Sequence, residues 1–149
     1  MQQQFFIRKM TERDLDGVME IEHESFTMPW SRESYLSELK NQFANYLLCD
    51  YEGEVAAYAG IWVVFEEAHI TNVAVGTAYR GKGMGKTLML AAEEIARDKK
   101  ALRILLEVRP SNTVARKMYT ELGYMETGLR KQYYSDNQED AIIMTRFLF

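Results

Sequence analysis

The stretch Asn72-Val73-Ala74-Val75-Gly76-Thr77-Ala78-Tyr79-Arg80-Gly81-Lys82-Gly83-Met84-Gly85-Lys86-Thr87 decides how this chain folds. Its first residues close a β-rich run that begins at Ala68, and its last residues open a helix whose apolar stripe is Leu88, Ala91, Ala92 and Ile95. Between them Gly81, Gly83 and Gly85 sit at the mouth of the helix. Glycine lets backbone N–H groups turn toward a ligand with no Cβ in the way. The unpaired donors of a helix's first turn then attract an anion, and the helix dipole adds to the pull. Taken alone, the triplet fits either a phosphate or pyrophosphate site or an ordinary tight turn. The spacing is not that of a Walker loop, which needs a glycine five residues before Gly85, and Gly-x-Gly-x-x-Gly is absent as well.

Upstream of this unit, Phe5 to Lys9 reads as a strand, and Thr11 with Asp14 as a capping box opening a helix with Leu15, Val18, Met19 and Phe26 on one face. Ser31 is a second N-cap, for a helix carrying Tyr35, Leu36 and Leu39. Tyr46 to Tyr51 and Val55 to Phe65 are strands joined by the Glu52-Gly53-Glu54 turn, with Gly60 marking a bulge. Downstream, Leu102 to Val108 is a nearly continuous apolar run of the kind covered on both faces. A helix from Thr113 to Leu122 ends at Gly123, and strands Tyr124 to Leu129 and Ala141 to Phe147 flank a polar connection. The sum is an α/β (α+β) mixed sheet of about seven strands flanked by about four helices, as one domain over residues 1–149.

Composition narrows the function. A net charge of −4 argues against a nucleic-acid footprint and suits a basic partner. No apolar run approaches the ~20 residues that span a bilayer, and Met1 to Gln4 lack the pattern of an export signal. A cytoplasmic setting fits the single Cys49, which has no partner for a disulfide or a metal and no neighbour in sequence that would activate it. His23 and His69 lack a Ser, Cys or second His at a catalytic or ligand spacing and read as structural.

Glu107, Tyr119 and Asn112 each suit a structural role by position, and Glu107 a chemical one as well. Glu107, in Ile104-Leu105-Leu106-Glu107-Val108, is a carboxylate in a mostly apolar strand, where burial raises the cost of its charge and its pKa. By position it is either a general base or a strand-end glutamate paired with Arg103 or Arg109. Tyr119 shares a helix face with Ala115 and Leu122, which suits a core aromatic with a satisfied hydroxyl. Asn112 stands where that helix needs an N-cap.

Arg80-Gly81-Lys82-Gly83-Met84-Gly85 resembles the Arg/Gln-x-x-Gly-x-Gly/Ala signature of the GNAT acetyltransferases. The likeness extends over nearly the whole chain. Phe26-Thr27-Met28-Pro29-Trp30-Ser31, Leu106-Glu107-Val108-Arg109, Ser111-Asn112, Met118 to Tyr124, Arg130 to Tyr134 and Glu139 to Met144 look like the branch of ribosomal-protein alanine N-acetyltransferases. Gly76-Thr77 departs from the Asp or Pro that relatives often carry there, which touches only the shape of the loop.

The resemblance implies acetyl-CoA as cosubstrate and no metal. It implies that Arg80, Gly81, Lys82, Gly83, Met84, Gly85 and Lys86 hold the pyrophosphate, that Val73, Ala74 and Val75 pair with the pantetheine arm, and that Asn112 and Tyr119 touch the cofactor. Glu107 would then accept the amine's proton and Tyr119 protonate the departing thiolate, only slightly uphill between a phenol near ~10 and a thiol near ~8.5. Pro29, Trp30, Tyr133 and Tyr134 would hold the substrate, the N-terminal peptide of a basic, small-subunit ribosomal protein, with no membrane or nucleic-acid partner. An α-amine, pKa ~7.7 to 8.0, asks less of a base than a lysine at ~10.4. The alternatives are another protein N-terminus, a lysine or a small amine as acceptor, and a non-catalytic acetyl-CoA-binding module. Binding alone requires neither Glu107 nor Tyr119.

Overall fold

Local chemistry sets the elements where the sequence places them. The computed structural model describes residues 5–149, so the reading of Met1 to Gln4 lies outside the described residues. After strand β1 (Phe5–Lys9), the Thr11–Asp14 capping box forms and leads through a 3-10 turn (Glu12–Asp14) into helix α1 (Leu15–Ser25). Ser31 Oγ accepts from the Ser34 amide at 3.1 Å and starts helix α2 (Arg32–Leu39). Strands β2 (Ala44–Tyr51) and β3 (Glu54–Val64) are joined by Glu52 and Gly53, both at positive φ, the two-residue turn whose twist matches the strands it connects. Strand β4 (Glu67–Val75) leads to α3 (Met84–Asp98), β5 (Arg103–Val108), α4 (Thr113–Glu121), β6 (Met125–Arg130) and β7 (Ala141–Phe147).

The seven strands form one sheet in the order β1-β2-β3-β4-β5-β7-β6, antiparallel throughout except for the β4–β5 pair. Alternation along β2 divides its residues between two faces. Leu48 joins Leu15, Val18, Ile21 and Tyr35 under α1 and α2, while Leu47 and Cys49 join Met84 and Leu88 under α3. α4 packs on the α3 side, where Tyr119 meets Ile104, Leu106 and Val108.

β5 departs from expectation. Its apolar run predicts cover on both faces, yet Arg103, Leu105 and Glu107 are only half-buried, because α1 and α2 pack chiefly over β2, β3 and β4. The parallel pairing of β4 with β5 covers three residue pairs, Glu67↔Arg103, Ala68↔Ile104 and His69↔Leu105. Beyond His69 the two strands part, and from Ile70 to Val75 the edge of β4 that faced β5 has no strand partner among the described residues.

The bulge expected within β3 at Gly60 lies instead in the partner strand: the β3–β4 register shifts between Gly60 and Ile61, and the extra residue is Thr71 of β4. The Tyr46 ring lies against Gly60, and a Cβ there would overlap the ring and stand 2.6 Å from Thr71 Oγ1. Gly60→Ala should therefore destabilise the fold by about 1–3 kcal/mol through overpacking. Chemical denaturation checks this, and a midpoint equal to that of the parent would show that the ring and bulge give way freely.

Candidate active site

The parting of β4 and β5 and the loop that follows β4 define a cleft at one end of the sheet. Gly81 and Gly83 have φ of +80° and +79°, and neither has a heavy atom within 4 Å of the position a Cβ would take. Gly83 is the N-cap of α3, and no side chain caps that end. The first-turn donors are thus left to an external acceptor, a cradle that an anion fits. Gly85 has a different surrounding: a Cβ there would lie 3.4 Å from Met118 Sδ and 3.6 Å from Val75 Cγ2, so it lets α3 start close against α4 and β4. Arg80, Lys82 and Lys86 are exposed around the loop, with Lys82 Nζ 5.9 Å above the Tyr51 ring. Met84 is buried in the core, as is Ala74 on the opposite face, while Val73 and Val75 are half-buried under α3. Any contact these β4 residues make along the open edge is therefore through backbone.

Glu107 faces away from the core that holds Leu106 and Val108, toward the side of the sheet that α1 and α2 cover. Its Oε1 lies 2.7 Å from His69 Nε2, which reaches it across the last paired residues of β4 and β5. A carboxylate can only accept, so Nε2 carries the hydrogen. Neither arginine expected as its partner pairs with it: Arg103 binds Glu67, and Arg109 binds Asp136 and Glu139. Burial does push the Glu107 carboxyl up, as its position predicts, but the hydrogen bond from His69, the His69 charge and Arg130 together outweigh it and hold the group below its ordinary value. This corrects one expectation, the raised pKa of Glu107, and gives His69, read from sequence as mostly structural, a carboxylate partner that its spacing did not signal. Strand register brings His69 and Glu107 together, and 38 residues of separation conceal it. His23 is exposed on α1.

Tyr119 is 8% exposed, and its ring packs on Tyr124 at 5.9 Å, yet its hydroxyl has no hydrogen-bond partner among the described residues. Burial, with Tyr134 nearby, pushes this phenol up to about 12, so its proton leaves less readily than the ordinary ~10 suggests. Tyr134 stands within electrostatic reach of both Tyr119 and Glu107, and burial pushes it to about 12 as well. Asn112 Oδ1 accepts from the Ala115 amide at 3.2 Å, the capping role, which leaves its amide nitrogen free for a ligand.

Pro29 and Trp30 are half-buried in the segment between α1 and α2. The Trp30 ring packs on Tyr35 at 5.3 Å, and its backbone amide donates to Glu22 Oε2 at 2.8 Å. Glu22, 2% exposed, also accepts from the hydroxyls of Tyr35 at 2.6 Å and Tyr58 at 2.5 Å, and Asn72 Nδ2 donates to the Tyr35 hydroxyl at 2.6 Å. Sequence reading misses this group, whose only signal is Glu22 standing one residue after Ile21 on the apolar face of α1. Tyr133, 46% exposed, stacks edge-on against Tyr134. Cys49 is buried, and burial alone pushes its thiol up to about 12, consistent with a side chain that nothing activates. Among the described residues no group of three or more His, Cys, Asp or Glu could hold a metal, and no helix is long and apolar enough to cross a membrane.

Comparison with known proteins places this geometry in a lineage. The model of the acetyltransferase (GNAT) family matches residues 15–124. Over 139 residues the chain is 46% identical to a Bacillus subtilis protein named "Putative ribosomal protein bS18-alanine N-acetyltransferase", covering 93% of this chain and 92% of that one. It is 34% identical to the ribosomal protein bS18-alanine N-acetyltransferase of Escherichia coli K12, over 93% of this chain and 94% of the other. The crystal structure of the ribosomal-protein-S18-alanine N-acetyltransferase from Escherichia coli superposes with a TM-score of 0.86 at 31% identity, covering 95% of this chain and 92% of that one. With a family model spanning the helices, the glycine loop and both strands of the cleft, and relatives matching over 93% of its length, the chain belongs to the acetyltransferase (GNAT) family.

Proposed function

We propose that this enzyme transfers the acetyl group of acetyl-CoA to the N-terminal α-amine, an alanine, of a small-subunit ribosomal protein. The observation that carries the proposal is the 46% identity, over 93% of the chain, to a relative whose name states that reaction on bS18. The net charge of −4 suits encounter with a basic partner.

Acetyl-CoA supplies an acetyl thioester already activated for attack. The open donors of Arg80 to Lys86 at the start of α3 take its pyrophosphate, and the free edge of β4 at Val73 to Val75 takes the amides of its arm. Asn112 contributes its unused amide nitrogen. Pro29, Trp30, Tyr133 and Tyr134 hold the peptide on the other side of the cleft. Glu107, ionised and oriented by His69, accepts the proton from the amine as nitrogen attacks the acetyl carbon. The carbon–sulfur bond breaks, and Tyr119 gives its proton to the departing sulfur, regaining one from solvent. A phenol at about 12 suits that step only if the same dry surroundings also raise the thiol. No covalent enzyme intermediate is involved.

The direct test is incubation with acetyl-CoA and peptides that differ in their first residue, with the acetylated position read by mass spectrometry. Acetylation at the α-amine of Ala-initiated peptides is expected, with Glu107→Gln slower by about 10²–10⁴-fold. Modification confined to lysine side chains or to small amines would refute the assignment.

His69→Ala removes the hydrogen bond and charge that do most to lower the Glu107 pKa, leaving Arg130 alone against the burial that raises it. The acid limb of kcat/KM against pH should therefore move to higher pH, because the base must be ionised to act. A limb that stays in place would show that His69 does not set the state of Glu107.

Tyr119→Phe deletes a hydroxyl that has no protein partner, so the melting temperature should change little. Turnover should fall by about 10² or more. A variant with parental kcat would leave Tyr119 as a packing residue.

A further inference from the structure

Arg109 follows directly on β5, two residues past Glu107. Its Nη2 donates to Asp136 Oδ2 at 2.8 Å, and its Nη1 to Asn137 Oδ1 at 3.0 Å and Glu139 Oε1 at 3.4 Å. The guanidinium also lies 3.9 Å above the centre of the Tyr134 ring. One side chain thus engages four residues of the connection between β6 and β7. The chain of contacts continues, because Asp136 Oδ2 also accepts from Thr27 Oγ1 at 2.6 Å, and Thr27 belongs to the segment between α1 and α2. Beside it, Ser135 Oγ stands 3.2 Å from Met28 Sδ.

These contacts are poorly suited to holding the whole fold together. Thr27, Asp136 and Asn137 are exposed, and exposed ion pairs contribute little to global stability. They are well suited to ordering loops. Residues 131–138 are exposed except for Tyr134, so the connection has almost no apolar anchor of its own, and beyond two backbone hydrogen bonds within it, Tyr134 to Glu139 and Gln138 to Tyr134, side chains must hold it in place. A planar fork that binds several acceptors while stacking on a ring supplies that order, and lysine could not.

We propose that Arg109 is the positioning residue for both peptide-facing segments. It holds residues 131–140, and Tyr134 with them, against the end of β5, and through Asp136 and Thr27 it sets residues 26–31 opposite. The cleft by which the amine reaches Glu107 thereby keeps a fixed width. The proposal rests on the peptide-acetylating function above.

The test combines Arg109→Gln, Arg109→Lys, Thr27→Val and the Arg109→Gln/Thr27→Val double variant. Arg109→Gln should raise the peptide KM about tenfold with the KM for acetyl-CoA nearly unchanged, the split expected when only the acceptor side is loosened. Arg109→Lys should behave like Arg109→Gln. Thr27→Val should give a smaller rise, and the double variant should be no worse than Arg109→Gln alone, because both substitutions break one chain of contacts. Effects that multiply in the double variant, or a peptide KM that does not move, overturn the proposal. Hydrogen exchange supplies an arm that needs no acceptor. Arg109→Gln should speed exchange at the Tyr134 and Gln138 amides, which donate to Glu139 and Tyr134 carbonyls, and also within residues 26–31. Parental exchange in residues 26–31 overturns the coupling even if the enzyme proves to acetylate no peptide at all, an outcome that would refute the proposed function separately.

Discussion

Three residue pairs hold β4 to β5, and the cleft begins where that pairing stops at His69 and Leu105. A parallel pair in the middle of a sheet normally continues to the end of the shorter strand, since each unpaired N–H and C=O that water cannot reach has a cost. Here the strands separate with six residues of β4 still to run, while β5 stays paired along its whole length with β7 on its other edge. The result is an interior sheet edge, open to an extended ligand but guarded by helices on either side. The glycine loop lies at the end of the same strand, so one divergence gives the backbone edge and the anion cradle a common direction.

That divergence needs support from the α1 and α2 side, and two buried carboxylates provide it. Glu22 gathers Tyr35, Tyr58 and the Trp30 amide, while Glu38 accepts from Tyr46 at 3.0 Å and Trp62 at 2.8 Å. Between them the Tyr46 hydroxyl meets Thr71 at 3.1 Å, Thr71 donates to Asn72 at 3.0 Å, and Asn72 donates to Tyr35. The bulge residue and its neighbour on β4 are thereby fixed through side chains just where the strand has lost its β5 partner. A buried carboxylate without a cation is tolerated when donors surround it, and these donors come from α1's neighbouring segment, α2 and the strands β2 and β3. Removing one leaves the others unsatisfied, so such a network is stiff.

The elements were largely legible because each is announced by local chemistry: Thr11 with Asp14, Ser31, Glu52-Gly53, Asn112 and Gly123 all stand at the boundaries they predict. Gly60 marks an irregularity for a different reason: the extra residue, Thr71, lies in β4, and Gly60 is the position opposite it where the Tyr46 ring leaves no room for a Cβ. What could not be read was everything that depends on register across distance. His69 against Glu107, and Arg109 with Asp136 and Thr27, join segments whose spacing in sequence carries no period. The sign of the Glu107 shift was missed for that reason: burial follows from a strand's apolar pattern, but the identity of a cross-strand neighbour does not. β5 was misjudged as covered on both faces because an apolar run records what its residues tolerate and not where helices end.

Cys49 has a practical consequence for following the reaction. It is the chain's one cysteine, enclosed in the core under α3, with a thiol raised to about 12. At neutral pH only on the order of 10⁻⁵ of it is thiolate, and the native fold offers a reagent no path to it. A thiol-reactive dye added to a working mixture therefore meets no nucleophile on the folded enzyme. Colour that develops with time counts free coenzyme directly, and a sudden jump in colour marks molecules that have unfolded.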